Sequence, residues 1–287
     1  AYGLDKKKSG KIAVYDLGGG TFDVSIIRVD GHDVEVLAAN GIHKLGGDDF
    51  DSALQELVRS KFKEATGGDL ESDDFTKNEA EEEKKALSKR KNVTCRVARQ
   101  MIDVSRTEFE ELISTYITQA EMLCEATIDE AGITTSDING VFLAGGSTRI
   151  PLVNESVTKV FGQEPVSTVN VDEVVALGAA LYAAYKGDHS QLSTVQKNAI
   201  QKIKVSESAG KCFGTISIGH NTARDQAELS NSILIRKGEK IPCSVTESFY
   251  TVYEGQEAVS CKVTESTSAE TDPRFVTIIH DGELVLP

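Results

Sequence analysis

The chain has 287 residues, of which 39% are apolar and 26% charged, and its formal net charge is −14. This is the composition of a folded globular protein, and the acidic charge argues against nucleic acid or a membrane surface as a partner, because both attract basic faces. No apolar stretch approaches the ~20 residues of a membrane-spanning helix, and the scattered cysteines favour reduced thiols over disulfides or a zinc site.

The first part of the chain predicts strands followed by helices. Residues 11–17 predict a buried strand, and residues 22–29 and 33–39 predict a hairpin that turns at Asp30-Gly31-His32. Residues 76–91 predict a highly charged helix. Between the hairpin and this helix, five apolar residues have the spacing of one helical face, namely Phe50, Leu54, Leu57, Val58 and Phe62.

The middle of the chain again shows strand patterns and helix patterns. Residues 92–104 alternate as in β-strand structure. Ser105 and Glu108 have the spacing of a capping box, which predicts the start of a long amphipathic helix. Residues 140–144 predict another buried strand, and Pro151 then opens a helix at a position that tolerates proline.

The last helical pattern, residues 171–186, ends at Gly187. Strands and helices up to this point predict an α/β layered lobe. From residue 212 onward, short β-forming stretches separated by Gly, Pro and Asn predict a β-sandwich, with one strand at 241–255. We therefore expect three regions: a lobe at 1–187, a linker at 188–211 and a β-domain at 212–287.

Three glycines follow the first predicted strand, between Asp16-Leu17 and Thr21. We call residues 18–21 the first glycine turn. Successive glycines let backbone N–H groups approach an anion, so this turn is a candidate phosphate nest. Asp16 suits Mg²⁺ held through water, and Thr21 can donate to a terminal phosphate or orient a water. The alternative is a tight hairpin whose glycines are required for positive φ, and the motif alone favours neither interpretation.

Two further motifs carry candidate polar groups. Residues 145–149, the second glycine turn, join a strand to a helix, where a ligand can meet a helix N-terminus and Arg149 can stack on a base. An ordinary turn with a surface arginine is the alternative. Glu81, Lys84 and Ser88 share one helix face and can form a polar strip for a sugar hydroxyl and a base edge. A solvated, salt-bridged helix is the alternative there, and the neighbouring charges favour it.

In order and spacing, these motifs closely resemble the second half of the ATPase domain of the seventy-kilodalton heat-shock chaperones, the DnaK type. The matching segments are VYDLGGGTFDVSII, LGGDDFD, EEEKKALS, VSRTEFEEL, VFLAGGSTRIP and VDEVVALGAA. The similarity is dense over residues 1–187, whereas IPCSVTESFYTVYEGQEAVSCKV resembles more loosely the start of that family's peptide-binding β-domain. The resemblance implies an actin-like (ribonuclease H-like) ATPase lobe followed by a partial β-sandwich.

The resemblance also implies ATP or ADP with Mg²⁺ as ligands, and it assigns site residues. The phosphates would lie on the first glycine turn, which consists of Gly18, Gly19, Gly20 and Thr21. The catalytic group would comprise Asp16 near the hydrated Mg²⁺, Thr21, and Asp23 in the same acidic surround. Arg149 would lie against the adenine. The adenosine pocket would be lined by Glu81, Lys84, Ser88, Gly145, Gly146, Ser147, Arg149 and Asp172.

The family implies a function as well: ATP hydrolysis coupled to the binding and folding of unfolded polypeptides in the cytoplasm, with a J-domain co-chaperone and a nucleotide-exchange factor. The family's first phosphate loop, its catalytic lysine and a glutamate near the metal are absent from this sequence. We therefore expect weak nucleotide affinity and little ATPase activity from the chain by itself. The sequence opens without an initiator methionine and stops within a predicted β-stretch, so we also expect a chain cut at both ends. Residues 188–211 are polar and basic where the family has a short, leucine-rich acidic linker, so the usual interdomain coupling is not expected.

Two other hypotheses belong to different classes. A truncated, non-catalytic paralogue that acts as an interaction module fits the same residues, and the sequence upstream of Ala1 would separate it from the chaperone fragment. An actin-like sugar or acetate kinase is the third hypothesis. The combination of GGGTFD, GGSTRIP and an appended β-domain argues against that kinase.

Overall fold

The computed structural model describes residues 9–30, 33–166, 170–188, 190, 193–194, 197, 204–221 and 226–286. The predicted hairpin turn at Gly31 and His32 and much of the predicted linker lie outside the described residues. The chain divides into two compact units, Ala1–Lys204 and Val205–Pro287.

The elements of the first unit confirm the predicted order of strands and helices. The described strands are β1 (Gly10–Leu17), β2 (Phe22–Asp30), β3 (Asp33–Ile42), β4 (Asn92–Val97), β5 (Gln100–Ser105) and β6 (Ile138–Ala144). The helices are α1 (Gly47–Thr66), α2 (Lys77–Leu87), α3 (Arg106–Glu130), α4 (Pro151–Phe161) and α5 (Val174–Lys186).

The sheet of the first unit brings the two glycine turns together. Its strands lie in the order β3-β2-β1-β6. β1 and β2 are antiparallel, as are β2 and β3, whereas β6 runs parallel to β1, with Asp16 opposite Ala144. Because the carboxyl ends of parallel neighbours meet at the same edge of a sheet, the turns that follow β1 and β6 leave that edge side by side.

The core of the first unit lies between the sheet and the helices. Tyr15 and Phe22 are buried on the sheet, with ring centroids 4.7 Å apart. The predicted apolar face of α1 is confirmed, because Phe50, Leu54, Val58 and Phe62 are buried and Leu57 packs against them. Burying such a face stabilises a helix more than its intrinsic propensity does.

The predicted strand character of residues 92–104 is confirmed, and the segment forms the antiparallel hairpin β4–β5. Its turn residues, Ala98 and Arg99, both have positive φ, at 44° and 67°. A two-residue hairpin turn of type I′ needs this conformation at both positions and normally uses Asn or Gly there. The sequence carries no such signal, so its alternation does not reveal where the chain turns.

The predicted capping box at the start of α3 is confirmed. Glu108 N donates to Ser105 Oγ at 3.2 Å, and Ser105 N donates to Glu108 Oε2 at 2.9 Å. Lys61 Nζ lies 2.6 Å from Glu108 Oε1 and ties α1 to the same carboxylate. The hydrogen bonds from Lys61 and Ser105 lower the pKa of Glu108 to about 2. The charged carboxylate therefore stabilises the fold.

We expect Glu108→Gln to lower the free energy of unfolding by about 0.5–1 kcal/mol at pH 7, the range for an exposed cap and ion pair. A lowered carboxylate pKa contributes stability above the unfolded-state pKa, and this contribution is lost as pH falls through the folded-state value. The difference from wild type should therefore shrink as pH falls from about 4.5 towards about 2. Urea denaturation at several pH values measures it, with the exposed Glu111→Gln as control. A difference that stays constant over this interval would contradict the prediction.

Helix α5 has thirteen residues and none of them is fully buried. It is too short to span a bilayer. Among the residues that the structure describes, no helix has the length and apolar content needed to cross a membrane.

The second unit is built from antiparallel strands. They are β7 (Lys204–Ser208), β8 (Cys212–Asn221), β9 (Gln226–Ile235), β10 (Lys240–Ile241), β11 (Ala258–Ser266) and β12 (Thr277–Val285). Four of them form a sheet in the order β12-β11-β8-β9, and β7 pairs with β10. Thr264 Oγ1 donates to Asn231 Oδ1 at 2.5 Å in its interior. The β-rich character is confirmed, whereas the sandwich of two sheets stays a prediction.

The predicted strand at 241–255 is wrong. β10 takes up only Lys240–Ile241, and the backbone from 242 to 257 forms no strand. The side chain of Tyr250 is 91% exposed. Aromatic and β-branched residues favour a strand only where a neighbouring strand and a packed face receive them. No described strand pairs with this segment, so its composition does not produce one.

Candidate functional site

The first glycine turn joins β1 to β2 with an incomplete set of hairpin hydrogen bonds. Gly18 N donates to Thr21 O at 3.1 Å. The return bond, from Thr21 N to Gly18 O, is not made. Instead, Gly18 O accepts from Gly47 N at 3.0 Å and from Ser147 Oγ at 2.9 Å. The turn is thus held from outside, by α1 and by the second glycine turn.

Three consecutive amides of the first glycine turn are free to bind a ligand. The N–H groups of Gly19, Gly20 and Thr21 donate to no described residue. The carbonyls of Gly18 and Gly19 are both bound, the second by Asp48 N at 2.7 Å. In a trans peptide the C=O and the next N–H point in opposite directions, so the Gly19 and Gly20 N–H groups point away from these contacts. Such a row of donors is a nest for an anion.

Neither backbone conformation nor crowding in the fold requires glycine in this turn. None of Gly18, Gly19 and Gly20 has positive φ. A Cβ added to Gly20 would meet no atom within 4 Å, and the nearest atoms to a Cβ on Gly18 or Gly19 lie at 3.8 and 3.9 Å. The alternative of a hairpin whose glycines supply positive φ is therefore wrong. Room for an approaching ligand is the physical reason that remains.

Two carboxylates lie beside the turn. Asp16 and Asp23 are paired across β1 and β2, so their side chains project from the same face. Partial burial, together with the nearby Asp23 carboxylate, raises the pKa of Asp16. A cation relieves such repulsion, and carboxylate oxygens suit hydrated Mg²⁺. No group of three or more His, Cys, Asp or Glu residues forms a metal cluster among the described residues.

The second glycine turn packs directly on the end of β1. Gly145 has φ of +83°, and a Cβ there would meet the Leu17 carbonyl and would lie 2.9 Å from Asp16 Oδ1. Glycine is required at this position for both reasons. Ser147 is buried and bonds to Gly18 O. The structure thus brings the two predicted glycine turns into contact.

Arg149, at the end of the second glycine turn, is held by Asp172. Its Nη1 and Nη2 donate to the two carboxylate oxygens of Asp172 at 2.7 and 2.6 Å. The bond from Arg149 lowers the pKa of Asp172. Both side chains are about half exposed. A two-pronged pair of this kind fixes the plane of the guanidinium group, whose faces can still stack on a flat ring.

The three residues of the predicted polar strip on α2 have different partners in the structure. Lys84 is buried, with its Nζ 2.7 Å from Asp51 Oδ1 and 2.9 Å from Gly47 O. Glu81 instead pairs with Lys85 at 3.0 Å. Ser88 Oγ donates to Lys84 O at 3.3 Å. Of the three, Lys84 alone bonds to the residues that hold the first glycine turn.

Three residues of this region were missed by the sequence prediction: Gly46, Gly47 and Asp51. A Cβ on Gly46 would lie 2.5 Å from Gly19 O and 2.8 Å from Gly20 N, and one on Gly47 would lie 2.8 Å from Ser147 Oγ. These glycines allow the start of α1 to press against both turns. The signal was the pair of glycines in LGGDDFD just before the apolar helix pattern.

The fold and these contacts define an α/β protein with a candidate anion site between two glycine turns. The family model described as Hsp70 protein matches residues 1–274 of the chain. The chain therefore belongs to the Hsp70 family, and the resemblance seen in its motifs is confirmed at the level of the family. Members are chaperones that bind ATP or ADP with Mg²⁺ and act on client polypeptides with co-chaperones.

The described residues fit the phosphate groups and the metal of such a ligand. The three free amides of the first glycine turn suit phosphate oxygens, and Asp16 and Asp23 suit a hydrated divalent cation. The residues expected to contact the nucleoside already have partners, because Glu81 pairs with Lys85 and Arg149 pairs with Asp172.

Proposed function

We propose that this chain binds the phosphates of ATP or ADP with Mg²⁺ on the first glycine turn. In the intact protein, this site would couple ATP hydrolysis to the binding of unfolded polypeptides. One observation carries the proposal: the N–H groups of Gly19, Gly20 and Thr21 are free and consecutive, in a turn whose glycines the fold does not require. Backbone amides aimed at an anion need no reorganisation when it arrives.

Each residue of the turn region has a role in this proposal. The Gly19 and Gly20 amides hold phosphate oxygens, and the Thr21 hydroxyl orients a water or a terminal phosphate oxygen. Asp16 holds Mg²⁺ through water, and Asp23 adds to the negative field around the cation. Bound Mg²⁺ neutralises phosphate charge.

The nucleoside would lie between α2 and the second glycine turn. Arg149, kept flat by Asp172, would present one face to the adenine, with Gly146 leaving room beside it. Ser88 and Glu81 would reach the sugar hydroxyls from α2. Lys84 and Ser147, both buried, would hold the neighbouring backbone.

The proposed organisation follows the family. Residues 1–187 form the actin-like, ribonuclease H-like lobe, residues 188–211 the linker, and residues 212–287 the start of a peptide-binding β-sandwich. The mixed sheet with β6 parallel to β1, flanked by helices, supports the first assignment. Client polypeptides, a J-domain co-chaperone and a nucleotide-exchange factor are the proposed partners, and the cytoplasm is the proposed location.

Thermal unfolding with added ligand tests the proposal. A ligand that binds only the folded state stabilises it by about 2.7 kcal/mol at a hundred times its dissociation constant. We expect ADP with Mg²⁺ to raise the melting temperature of the chain in proportion to the logarithm of ADP concentration. Adenosine with Mg²⁺ should raise it much less. Equal effects of ADP and adenosine, or no effect of either, would contradict phosphate binding and favour the non-catalytic interaction module.

We expect the chain by itself to hydrolyse ATP very slowly. Phosphoryl transfer is accelerated by cations placed against the developing charge. Lys84 and Arg149, two cations of the site region, are each paired with a carboxylate. A phosphate-release assay measures the rate, with Thr21→Ala as the control for contaminating activity. Fast turnover that Thr21→Ala abolishes would contradict this prediction.

A further inference from the structure

A buried ion pair lies behind the first glycine turn. Lys84 of α2 and Asp51 of α1 have 10% and 4% of their side-chain surface exposed, and Nζ lies 2.7 Å from Oδ1. Burial raises the pKa of the Asp51 carboxyl, and the ammonium group of Lys84 opposes this shift. Apolar residues of similar volume often stabilise a fold as well as such a pair, or better. Stability is therefore a poor explanation of this pair.

The pair connects to the turn through a single peptide group. Lys84 Nζ donates to Gly47 O at 2.9 Å. The N–H of the same peptide belongs to Asp48, and it donates to Gly19 O at 2.7 Å. Both ends of this peptide group are thus fixed, one by a buried cation and the other by the turn.

The next peptide group ends at the candidate site. The Gly19 carbonyl that accepts from Asp48 shares its peptide with the Gly20 N–H, which donates to no described residue. The connection runs from Asp51 to Lys84, through the Gly47–Asp48 peptide, to the Gly19–Gly20 peptide. Hydrogen bonds in such a chain polarise one another, so charge at one end strengthens the donor at the other.

We infer that Asp51 and Lys84 are a positioning pair: through these two peptides they aim and polarise the Gly20 N–H towards a bound phosphate group. This inference rests on the proposed function. It explains why the buried pair is present although apolar residues could stabilise the fold as well. It also adds Asp51 to the residues on which phosphate binding depends. Neither side chain needs to touch the ligand.

The test is the double variant Asp51→Leu/Lys84→Met, which replaces the pair by apolar side chains of similar shape and avoids leaving one buried charge alone. Circular dichroism checks that it is folded. The first readout is the ¹H–¹⁵N resonance of Gly20 in ligand-free protein. We expect the amide proton to move upfield, because its donor is less polarised. A folded double variant whose Gly20 resonance is unchanged overturns the inference.

The second readout is affinity for two probes, inorganic pyrophosphate and ADP, each with Mg²⁺. We expect both affinities to fall about tenfold, which is the loss of roughly one hydrogen bond to a charged group. The two losses should be equal, since the pair acts on the turn that holds phosphate. A loss confined to ADP would mean that Lys84 touches the nucleoside, and it would overturn the positioning role.

The matched control is Glu121→Leu/Lys159→Met, which removes an ion pair of 2.8 Å between α3 and α4. We expect it to leave the Gly20 resonance and both affinities unchanged, and a change as large as that of the site variant overturns the inference. If wild-type protein binds neither probe, the proposed function fails. The ligand-free Gly20 resonance then still decides whether the pair acts on the turn.

Discussion

Gly145→Ala is expected to destabilise the first unit by about 2–6 kcal/mol, the sum of backbone strain and overpacking. Gly145 has φ of +83°, in a region closed to other residues. The added methyl group would also meet the Leu17 carbonyl and lie 2.9 Å from Asp16 Oδ1. The Leu17 carbonyl is backbone at the end of β1, so it cannot rotate away as the Asp16 side chain can. Denaturant unfolding measures the loss.

Gly162→Ala is the control for this variant. Gly162 ends α4 and also has positive φ, at +67°, but a Cβ there would meet no atom within 4 Å. It should cost only about 1 kcal/mol, the conformational term alone. Equal losses for the two variants would show that the contact between the second glycine turn and β1 contributes nothing.

Gly20→Ala is expected to separate ligand binding from stability. The fold has room for the methyl group and the backbone is not in the positive-φ region. The free energy of unfolding should therefore stay constant or rise by about 0.5 kcal/mol, because alanine restricts the unfolded chain. Affinity for ADP with Mg²⁺ should fall about tenfold or more, because the methyl group obstructs approach to the free amides.

Calorimetric titration measures this affinity, and Gly210→Ala in the second unit is the control. Gly210 also has no atom within 4 Å of an added Cβ. It should leave affinity unchanged. A Gly20→Ala variant that binds ADP as well as wild type would mean that the turn does not hold phosphate.

Much of the first unit could be predicted because its elements repeat local patterns. Two features of the helices depend only on residues that are close in sequence. They are the apolar face of α1, with Phe50, Leu54 and Val58, and the capping box of Ser105 and Glu108. Their physics is local, since a helix satisfies its backbone within itself and a cap satisfies its end.

The sequence-based predictions were incomplete or wrong where the secondary structure depends on partners distant in sequence or on an unusual turn. The β4–β5 hairpin turns at Ala98 and Arg99, which are not turn residues by composition. The segment after β10 has the composition of a strand but pairs with no described strand. Strand formation depends on such neighbours far more than helix formation does.

Only the part of the candidate site that has a local sequence pattern could be predicted. The two glycine turns stand out in the sequence, and the parallel pairing of β1 and β6 brings them together. Asp51 carries no local signal of its role, because its partner Lys84 lies on another helix. Gly46 and Gly47 directly precede the apolar helix pattern in the sequence. Nothing local indicates that they lie against the first glycine turn.

Phosphate binding by the Gly19, Gly20 and Thr21 amides can be tested by a single titration. ADP with Mg²⁺ is added to ¹⁵N-labelled wild-type chain while the ¹H–¹⁵N resonances are followed. We expect these three resonances to move together and to saturate with a single dissociation constant, even where affinity is weak. Saturating ADP that leaves all three unmoved, or that moves only resonances elsewhere, would show that these amides do not bind phosphate.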